Sequence, residues 1–143
     1  MAGIRFDIFD RGAPCIYYGD EVGVDGEHNP DCRKSFPWDE GKWNRGLLDY
    51  LKSAISLRKS HPPLRRGSFT RLWSADGVYA FERALEGESL VAAFNTSEEP
   101  RQVEVQREVN EKTKILFGDP SEIRSANGIL RFTIPARSSV VLG

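Results

Sequence analysis

The sequence is poor in cysteine, has no excess of either charge and contains no long hydrophobic run. Only Cys15 and Cys32 occur in 143 residues, which argues against a disulfide framework and leads us to expect reduced thiols in a cytoplasmic protein. The 20 basic and 21 acidic residues give a net charge of −1, so the basic excess that nucleic-acid binding requires is missing. No apolar run reaches the roughly 18 residues of a membrane-spanning helix. We therefore expect neither nucleic acid nor a membrane as a partner.

The length sets a further limit, because a complete (β/α)8 barrel needs roughly 250 residues and this chain has 143. One domain, or one domain with a smaller attachment, fits that length. Residues 1–41 are rich in glycine, aspartate and aromatic residues. The apolar run at residues 13–18 contains Ile and Tyr between two glycines and predicts a buried strand. Residues 19–38 carry further glycines and prolines and predict a long loop, a kind of segment that is often functional.

Residues 44–60 have the periodicity of an amphipathic helix. Asn44 is a suitable N-cap, and the apolar residues after it are spaced by three and four positions, which places them on one face. These apolar residues are Leu47, Leu48, Leu51, Ala54 and Ile55. The sequence His61-Pro62-Pro63 ends the helix, because proline cannot continue the hydrogen-bond ladder.

The remainder of the chain, residues 66–143, has the pattern of a β domain. Short segments of alternating or continuous apolar character are separated by turn signals such as Asp76-Gly77 and Asn127-Gly128. The predicted strands lie near residues 69–73, 78–83, 90–94, 102–106, 114–117 and 129–134. Strands this short, with turn signals every 8 to 12 residues, are typical of a β-sandwich or barrel.

Four segments of the sequence together have the pattern of a particular protein family. They are residues 12–23 (GAPCIYYGDEVG), 29–33 (NPDCR), 36–38 (FPW) and 61–67 (HPPLRRG). Their succession resembles the carboxy-terminal portion of the α-amylase family of glycoside hydrolases (family 13), and most of all its neopullulanase, cyclomaltodextrinase and maltogenic amylase group. The resemblance implies a mainly β chain in two parts. Residues 1–65 would hold the last β-strand, a long loop and the last α-helix of a truncated (β/α)8 barrel. Residues 66–143 would form the antiparallel β-sandwich of the family's C-terminal domain.

The first eleven residues depart from the family's pattern, and we expect them to be disordered. The family's three catalytic acidic residues lie on barrel strands upstream of the matched segment, so the resemblance implies no catalytic residue here. Asp20 and Glu21 do not replace them. Neighbouring residues at a strand end point to opposite sides, whereas retaining hydrolysis needs two carboxyl groups about 5 to 5.5 Å apart across one bond. We expect the chain to be inactive alone.

Asn29 and Arg33 are the candidate substrate-binding residues. In the neopullulanase-like group, an arginine and an aspartate four residues before it contact sugar units away from the cleavage point. Arg33 matches the arginine, and Asn29 replaces the aspartate with a neutral amide that still bonds a hydroxyl but without charge assistance. The alternative is that Arg33 is a structural ion-pairing residue of the loop.

The loop also contains a run of acidic and amide residues that is only a poor match to a calcium site. Pro30 stands where that motif needs glycine, and Phe36 where it needs a bidentate glutamate. We therefore expect no metal and no other cofactor. The residues concerned are Asp25, Glu27, Asn29 and Asp31.

The three tryptophans are candidates for contact with sugars. Trp38, Trp43 and Trp73 are large enough to stack on sugar rings, although a role in the core or in a hydrophobic staple is commoner for Trp38 and Trp43, the two beside the helix start.

The predicted strand at residues 13–18 would have an unpaired edge, which predicts self-association. The expected partners are thus an α-glucan or malto-oligosaccharide, bound weakly, and a second copy of the chain. The alternative function is a non-catalytic carbohydrate-binding or oligomerisation module.

Overall fold

The computed structural model describes residues 8–26, 28–107 and 113–143, and within these ranges loops and short helices precede one long helix. We number the helices longer than one turn α1, Arg45–Ser60, and α2, Pro62–Arg66. Single turns of 3₁₀ helix form at Asp20–Val22, Asp31–Arg33 and Glu40–Lys42. None of the helices in these ranges has the length and apolar character needed to cross a membrane.

The predicted amphipathic helix is confirmed as α1. The Asn44 side chain accepts a hydrogen bond from the Leu47 amide at 3.0 Å and so caps its first turn. At the other end the His61 amide donates to the Leu57 carbonyl, and α2 begins at Pro62. Proline suits that first position because the missing N–H would have no intrahelical partner there.

Within the described ranges, eight strands form two antiparallel sheets, and the predicted β-sandwich is confirmed. Sheet A has the order β1-β2-β3-β8-β5, and sheet B has the order β4-β7-β6. Two of the strands, β6 and β8, were not predicted from the sequence. The strands are β1 Thr70–Ala75, β2 Val78–Leu85, β3 Glu88–Asn95, β4 Arg101–Gln106, β5 Ile115–Phe117, β6 Ser121–Ala126, β7 Ile129–Ile134 and β8 Ser138–Leu142.

Sheet A is buried on both faces, which explains the continuous apolar runs at residues 90–94 of β3 and 140–142 of β8. Alternate residues of a strand point to opposite faces, so Val91 and Ala93 meet sheet B while Ala92 and Phe94 meet the helices. The core between the sheets also includes Leu130 and other side chains of β7. Its members from β7 and β8 are Leu130, Phe132, Ile134, Val140 and Leu142.

The second core lies between sheet A and the apolar face of α1. Leu47, Leu51 and Ala54 pack there against the sheet. Ile8 and Phe9 belong to the same core, at 1% and 0% exposure, so the expectation of disorder is wrong for these two residues. Residues 1–7 lie outside the described part. Burial of each large apolar side chain contributes about 1.5–3 kcal/mol.

Two buried arginines fasten the segment at residues 8–12 to this core, and we call this contact the arginine seam. Arg58 donates from Nη1 to the carbonyls of Ile8, Asp10 and Leu64 at 2.9, 3.1 and 2.6 Å. Its Nη2 donates to the carbonyl of Gly12. The seam therefore joins the end of α1 and the start of α2 to the chain that precedes the loop.

Arg83 of β2 forms the other half of the seam. It is 2% exposed and donates to the carbonyls of Ser68 at 2.9 Å, Phe9 at 3.3 Å and Gly67 at 3.2 Å. Burial lowers the pKa of Arg83, and the charge of Arg58 lowers it further. Burial likewise lowers the pKa of Arg58. Main-chain carbonyl oxygens satisfy both guanidinium groups and offset part of this desolvation cost.

The buried strand predicted at residues 13–18 is not observed. These residues form no ladder, and Ile16, Tyr17 and Tyr18 are 37%, 57% and 44% exposed. A strand exists through hydrogen bonds to a neighbour, and no segment of the described ranges pairs with this one. The composition correctly identified an apolar segment, but it does not show whether a neighbouring strand is present to pair with it.

Candidate functional site

The segment after residue 18 is folded by a tight turn around Gly19. Gly19 and Gly23 have φ angles of 90° and 78°, which glycine adopts at little cost. The Tyr17 amide donates to Asp20 Oδ2 at 3.0 Å, and the Val24 amide donates to the Gly19 carbonyl at 2.9 Å. Asp20 thus holds the turn that aims the preceding tyrosines.

A cavity of about 440 Å³ lies beside this turn. Tyr17 and Tyr18 line it with ring centroids 4.5 Å apart. Lys34 lines it as well, and the Tyr18 hydroxyl donates to the Lys34 carbonyl at 3.0 Å. The Lys34 ammonium lies 3.6 Å from an Asp25 oxygen. The cavity therefore combines aromatic faces with charged groups of both signs.

The structure brings one of the two predicted binding residues into this cavity. Arg33, at the end of the 3₁₀ turn Asp31–Arg33, is exposed and lines the cavity. In the part of the chain that is described, its guanidinium makes no hydrogen bond or ion pair. Asn29 is exposed, precedes Pro30 through a cis peptide bond and is not part of the lining. Sequence reasoning missed Tyr17 and Tyr18 as site residues, because it assigned them to a buried strand.

The acidic residues of the loop do not converge. Within the described ranges no three acidic, histidine or cysteine side chains lie close enough together to hold a metal ion. Glu27, one member of the calcium-like pattern, lies outside those ranges. The expectation that the pattern binds no metal accordingly stays a prediction.

A group of three aromatic rings follows the cavity in the chain. Trp38 is 84% exposed, so a core role is wrong for it, and its ring centroid lies 4.9 Å from that of Phe36. The Phe36 ring in turn lies 5.9 Å from Trp43. Trp43 is half-buried and donates from Nε1 to the Pro37 carbonyl at 2.6 Å. Trp73 packs against the sandwich core instead.

A second cavity, of about 670 Å³, lies between β2, β3 and the chain end. Arg107 donates from Nη2 to the Ser89 carbonyl at 2.6 Å, and the Ser89 hydroxyl donates to Glu82. Burial lowers the pKa of Arg107, and the charge of Glu82 opposes that shift. Arg107 immediately precedes residues 108–112, which lie outside the described part, so we base no site on this cavity.

The first cavity has the chemistry of a site for a polyhydroxylated ligand. Aromatic rings cover the apolar face of such a ligand, and a small number of charged groups bond its hydroxyls and set its orientation. Arg33 and Lys34 supply donors, and Asp20 and Asp25 supply acceptors. The openness of the loop to solvent favours weak binding, because little of the ligand would be buried.

Comparison with known proteins places the β-sandwich in a family. Residues 67–142 match the family model described as the alpha-amylase C-terminal domain. The chain is 40% identical over 105 residues, 73% of its length, to a cyclomaltodextrinase of Thermoanaerobacter pseudethanolicus. It is 34% identical over 143 residues, 97% of its length, to neopullulanase 2 of Thermoactinomyces vulgaris. The chain covers 18% and 24% of these two relatives, about a fifth of their length.

A solved structure shows that the fold is similar over nearly the whole chain as well. The debranching enzyme of Nostoc punctiforme superposes with a TM-score of 0.86 and 32% identity. The match covers 99% of this chain and 31% of that one. It therefore includes the loop and helices before the sandwich as well as the sandwich itself. The resemblance inferred from residues 12–67 is confirmed.

Proposed function

Because the chain belongs to the alpha-amylase C-terminal domain family, we propose that it is the carboxy-terminal portion of a glycoside hydrolase that acts on α-glucans. The names of its relatives, cyclomaltodextrinase and neopullulanase, support this substrate class. We assign residues 1–65 to the end of the catalytic barrel and residues 66–143 to the C-terminal β-sandwich. The family match at residues 67–142 supports a boundary next to α2.

We propose that the chain does not hydrolyse glycosidic bonds by itself. One of its two candidate carboxylates, Asp20, accepts a hydrogen bond from the Tyr17 amide, as a structural residue would. Purified chain should release no reducing sugar from cyclodextrin, pullulan or maltotriose. Hydrolysis that is lost in both Asp20→Asn and Glu21→Gln, but not in the exposed Asp49→Asn control, would contradict this.

We also propose a cytoplasmic location, which the state of one cysteine supports. Cys15 is free and exposed, as is common where thiols stay reduced. The side chain of Cys32 lies outside the described part.

The proposed ligand-binding role is that Arg33 holds an α-glucan or malto-oligosaccharide at the first cavity. The observation that carries it is the position of Arg33 in the same cavity as the rings of Tyr17 and Tyr18. The guanidinium would bond sugar hydroxyls while a tyrosine ring covers a sugar face. Asn29, outside the cavity lining, would contact a longer glucan that extends past it.

Titration of the ¹⁵N-labelled chain with maltotriose tests this role. We expect millimolar affinity and amide shifts at residues 17–34, with about tenfold weaker binding for Arg33→Ala, because a hydrogen bond to a charged group contributes about 1.5–3 kcal/mol. Lys52→Ala removes an exposed charge of α1 outside the cavity and serves as the control. Unchanged spectra at tens of millimolar maltotriose would contradict the proposal.

Self-association is a second proposed role, supported by the apolar residues that are exposed at positions 16–18. Ile16, Tyr17 and Tyr18 are adjacent and all more than a third exposed, and exposed apolar surface of this kind often marks an interface. Light scattering should give a mass above 16.1 kDa that falls in Ile16→Ser. A monomeric mass at high concentration would contradict self-association and leave glucan binding untouched.

A further inference from the structure

Trp38 stands out in the described chain because its side chain is 84% exposed. The next most exposed large hydrophobic residue, Tyr17, is 57% exposed. An indole ring left in water forgoes the favourable free energy of burial. Trp38 belongs to neither of the two cores that the described residues form.

The exposed ring is held in place by a chain of aromatic contacts. Phe36 meets the Trp38 ring edge to face, with centroids 4.9 Å apart and an angle of 61° between the planes. Trp43 supports Phe36 in a similar geometry, and its Nε1 is bonded to the Pro37 carbonyl. The Arg45 guanidinium lies 5.0 Å from the Trp43 ring centroid. A ring supported in this way loses little freedom when a ligand covers it.

Polar and charged residues follow Trp38 directly. Asp39, Glu40 and Lys42 are exposed, the Asp39 carboxylate caps the Gly41 amide, and Glu40 pairs with Arg45. A protein interface needs a contiguous apolar patch of several hundred Å², whereas this is one ring beside charged groups. A ligand with a flat apolar face and a hydroxylated edge fits it better.

From these observations we infer that Trp38 is a sugar-stacking residue that binds one glucose ring of an α-glucan, at a position separate from the cavity that Arg33 lines. This inference depends on the proposed glucan specificity. The C–H face of the ring packs on the indole, and the hydroxyls at its edge reach the charged groups of residues 39–42. The ring of Phe36 stays in its supporting position and makes no contact with the sugar.

The indole N–H signals of the three tryptophans provide the test. In a titration of the full chain with maltoheptaose, we expect the Trp38 indole signal to shift while that of Trp73, packed on the sandwich core, stays in place. Trp38→Ala should weaken binding about tenfold, which is the scale of one aromatic contact. Trp38→Phe should retain most of the affinity. Trp73→Phe assigns the control signal.

The outcomes separate this inference from the proposed function. Shifts at residues 17–34 with a silent Trp38 indole and unchanged affinity in Trp38→Ala would overturn the role of Trp38 alone. A Trp38 shift without any shift at residues 17–34 would support Trp38 and contradict the Arg33 site. No shift anywhere would contradict both. A mass in light scattering that Trp38→Ala lowers, without a sugar-dependent shift, would make the ring an interface residue and overturn the inference.

Discussion

The chain contains two regions, one of which buries its large side chains while the other leaves several of them exposed to solvent. The packed region, residues 8–12, 44–107 and 113–142, buries aromatic residues such as Phe9 and Phe132 and even encloses Arg83. The loop region, residues 13–26 and 28–43, leaves Tyr17 and Trp38 more than half exposed. The packed region is stabilised by two cores, whereas the loop region is shaped by turns and by hydrogen bonds to main-chain atoms.

The loop region is attached to the packed region at both ends. At its start, Arg58 bonds the Gly12 carbonyl as part of the arginine seam. At its end, the Asn44 amide donates to the Val22 carbonyl at 2.9 Å, and the Asn44 side chain caps α1. We therefore expect stability to reside mainly in the packed region, whereas the proposed ligand contacts lie in the loop region. Substitutions should separate the two properties.

We expect the largest loss in the free energy of unfolding from a substitution in the core between the two sheets. Phe132 is fully buried there, and Phe132→Ala should lower the free energy of unfolding by about 3–5 kcal/mol, because it removes apolar burial and leaves a cavity. Urea unfolding followed by far-UV circular dichroism measures the change. Phe132→Leu, which keeps most of the volume, should cost much less. A loss below 1 kcal/mol for the alanine variant would show that the sandwich does not dominate stability.

The arginine seam should give the next largest effect. Arg83→Met keeps the side-chain volume but leaves the carbonyls of Phe9, Gly67 and Ser68 without this donor, so we expect a loss of about 3 kcal/mol in the free energy of unfolding. Arg83→Lys should recover only part of it, since an ammonium group cannot reproduce the planar fork. Arg124→Met, on the exposed strand β6, is the matched control and should be neutral. Equal stability of the two methionine variants would contradict the seam.

We expect a smaller loss in the free energy of unfolding from a substitution at Asn44, where the loop region joins the packed region. Asn44→Ala removes the side-chain cap of α1 and should cost about 1 kcal/mol, as N-cap substitutions typically do. Asn44→Ser retains a capping oxygen and should be near neutral. The same urea measurement applies, and protection of the Leu47 amide from hydrogen exchange should fall in the alanine variant only. Unchanged protection in that variant would mean that the cap does not hold the helix start.

The elements that could be predicted from the sequence are those whose pattern is local. Helix α1 carries its N-cap, its apolar stripe and its proline stop within one segment, so the spacing alone identifies it. Strand β8, Ser138–Leu142, is buried on both faces and shows no alternation, and it was missed. Strand β6 has one half-buried apolar residue, Ile123, and is a strand because it pairs with β7.

The candidate site could likewise be predicted only as far as its pattern is local. The spacing of Asn29 and Arg33 could be matched to a family pattern, but only the fold shows that Arg33 lies with Tyr17 and Tyr18 while Asn29 does not. Ile8 and Phe9 are buried where Arg58 and Arg83, 50 and 74 positions away, donate to their carbonyls. Contacts of this separation leave no local periodicity, and no pattern in a single sequence predicts them.

The smallest change in stability should come from the loop region, and it is the most informative comparison. The double variant Arg33→Ala, Trp38→Ala should keep its free energy of unfolding within about 0.5 kcal/mol of the parent chain, because both side chains are exposed and neither contributes to a core. The same variant should lose maltoheptaose binding in the NMR titration. A stability loss above 1 kcal/mol would mean that the loop region supports the fold, and the weaker binding would then reflect disorder of the site. Retained stability with lost binding would instead assign these exposed side chains to ligand contact, because the packed region would be shown to fold without them.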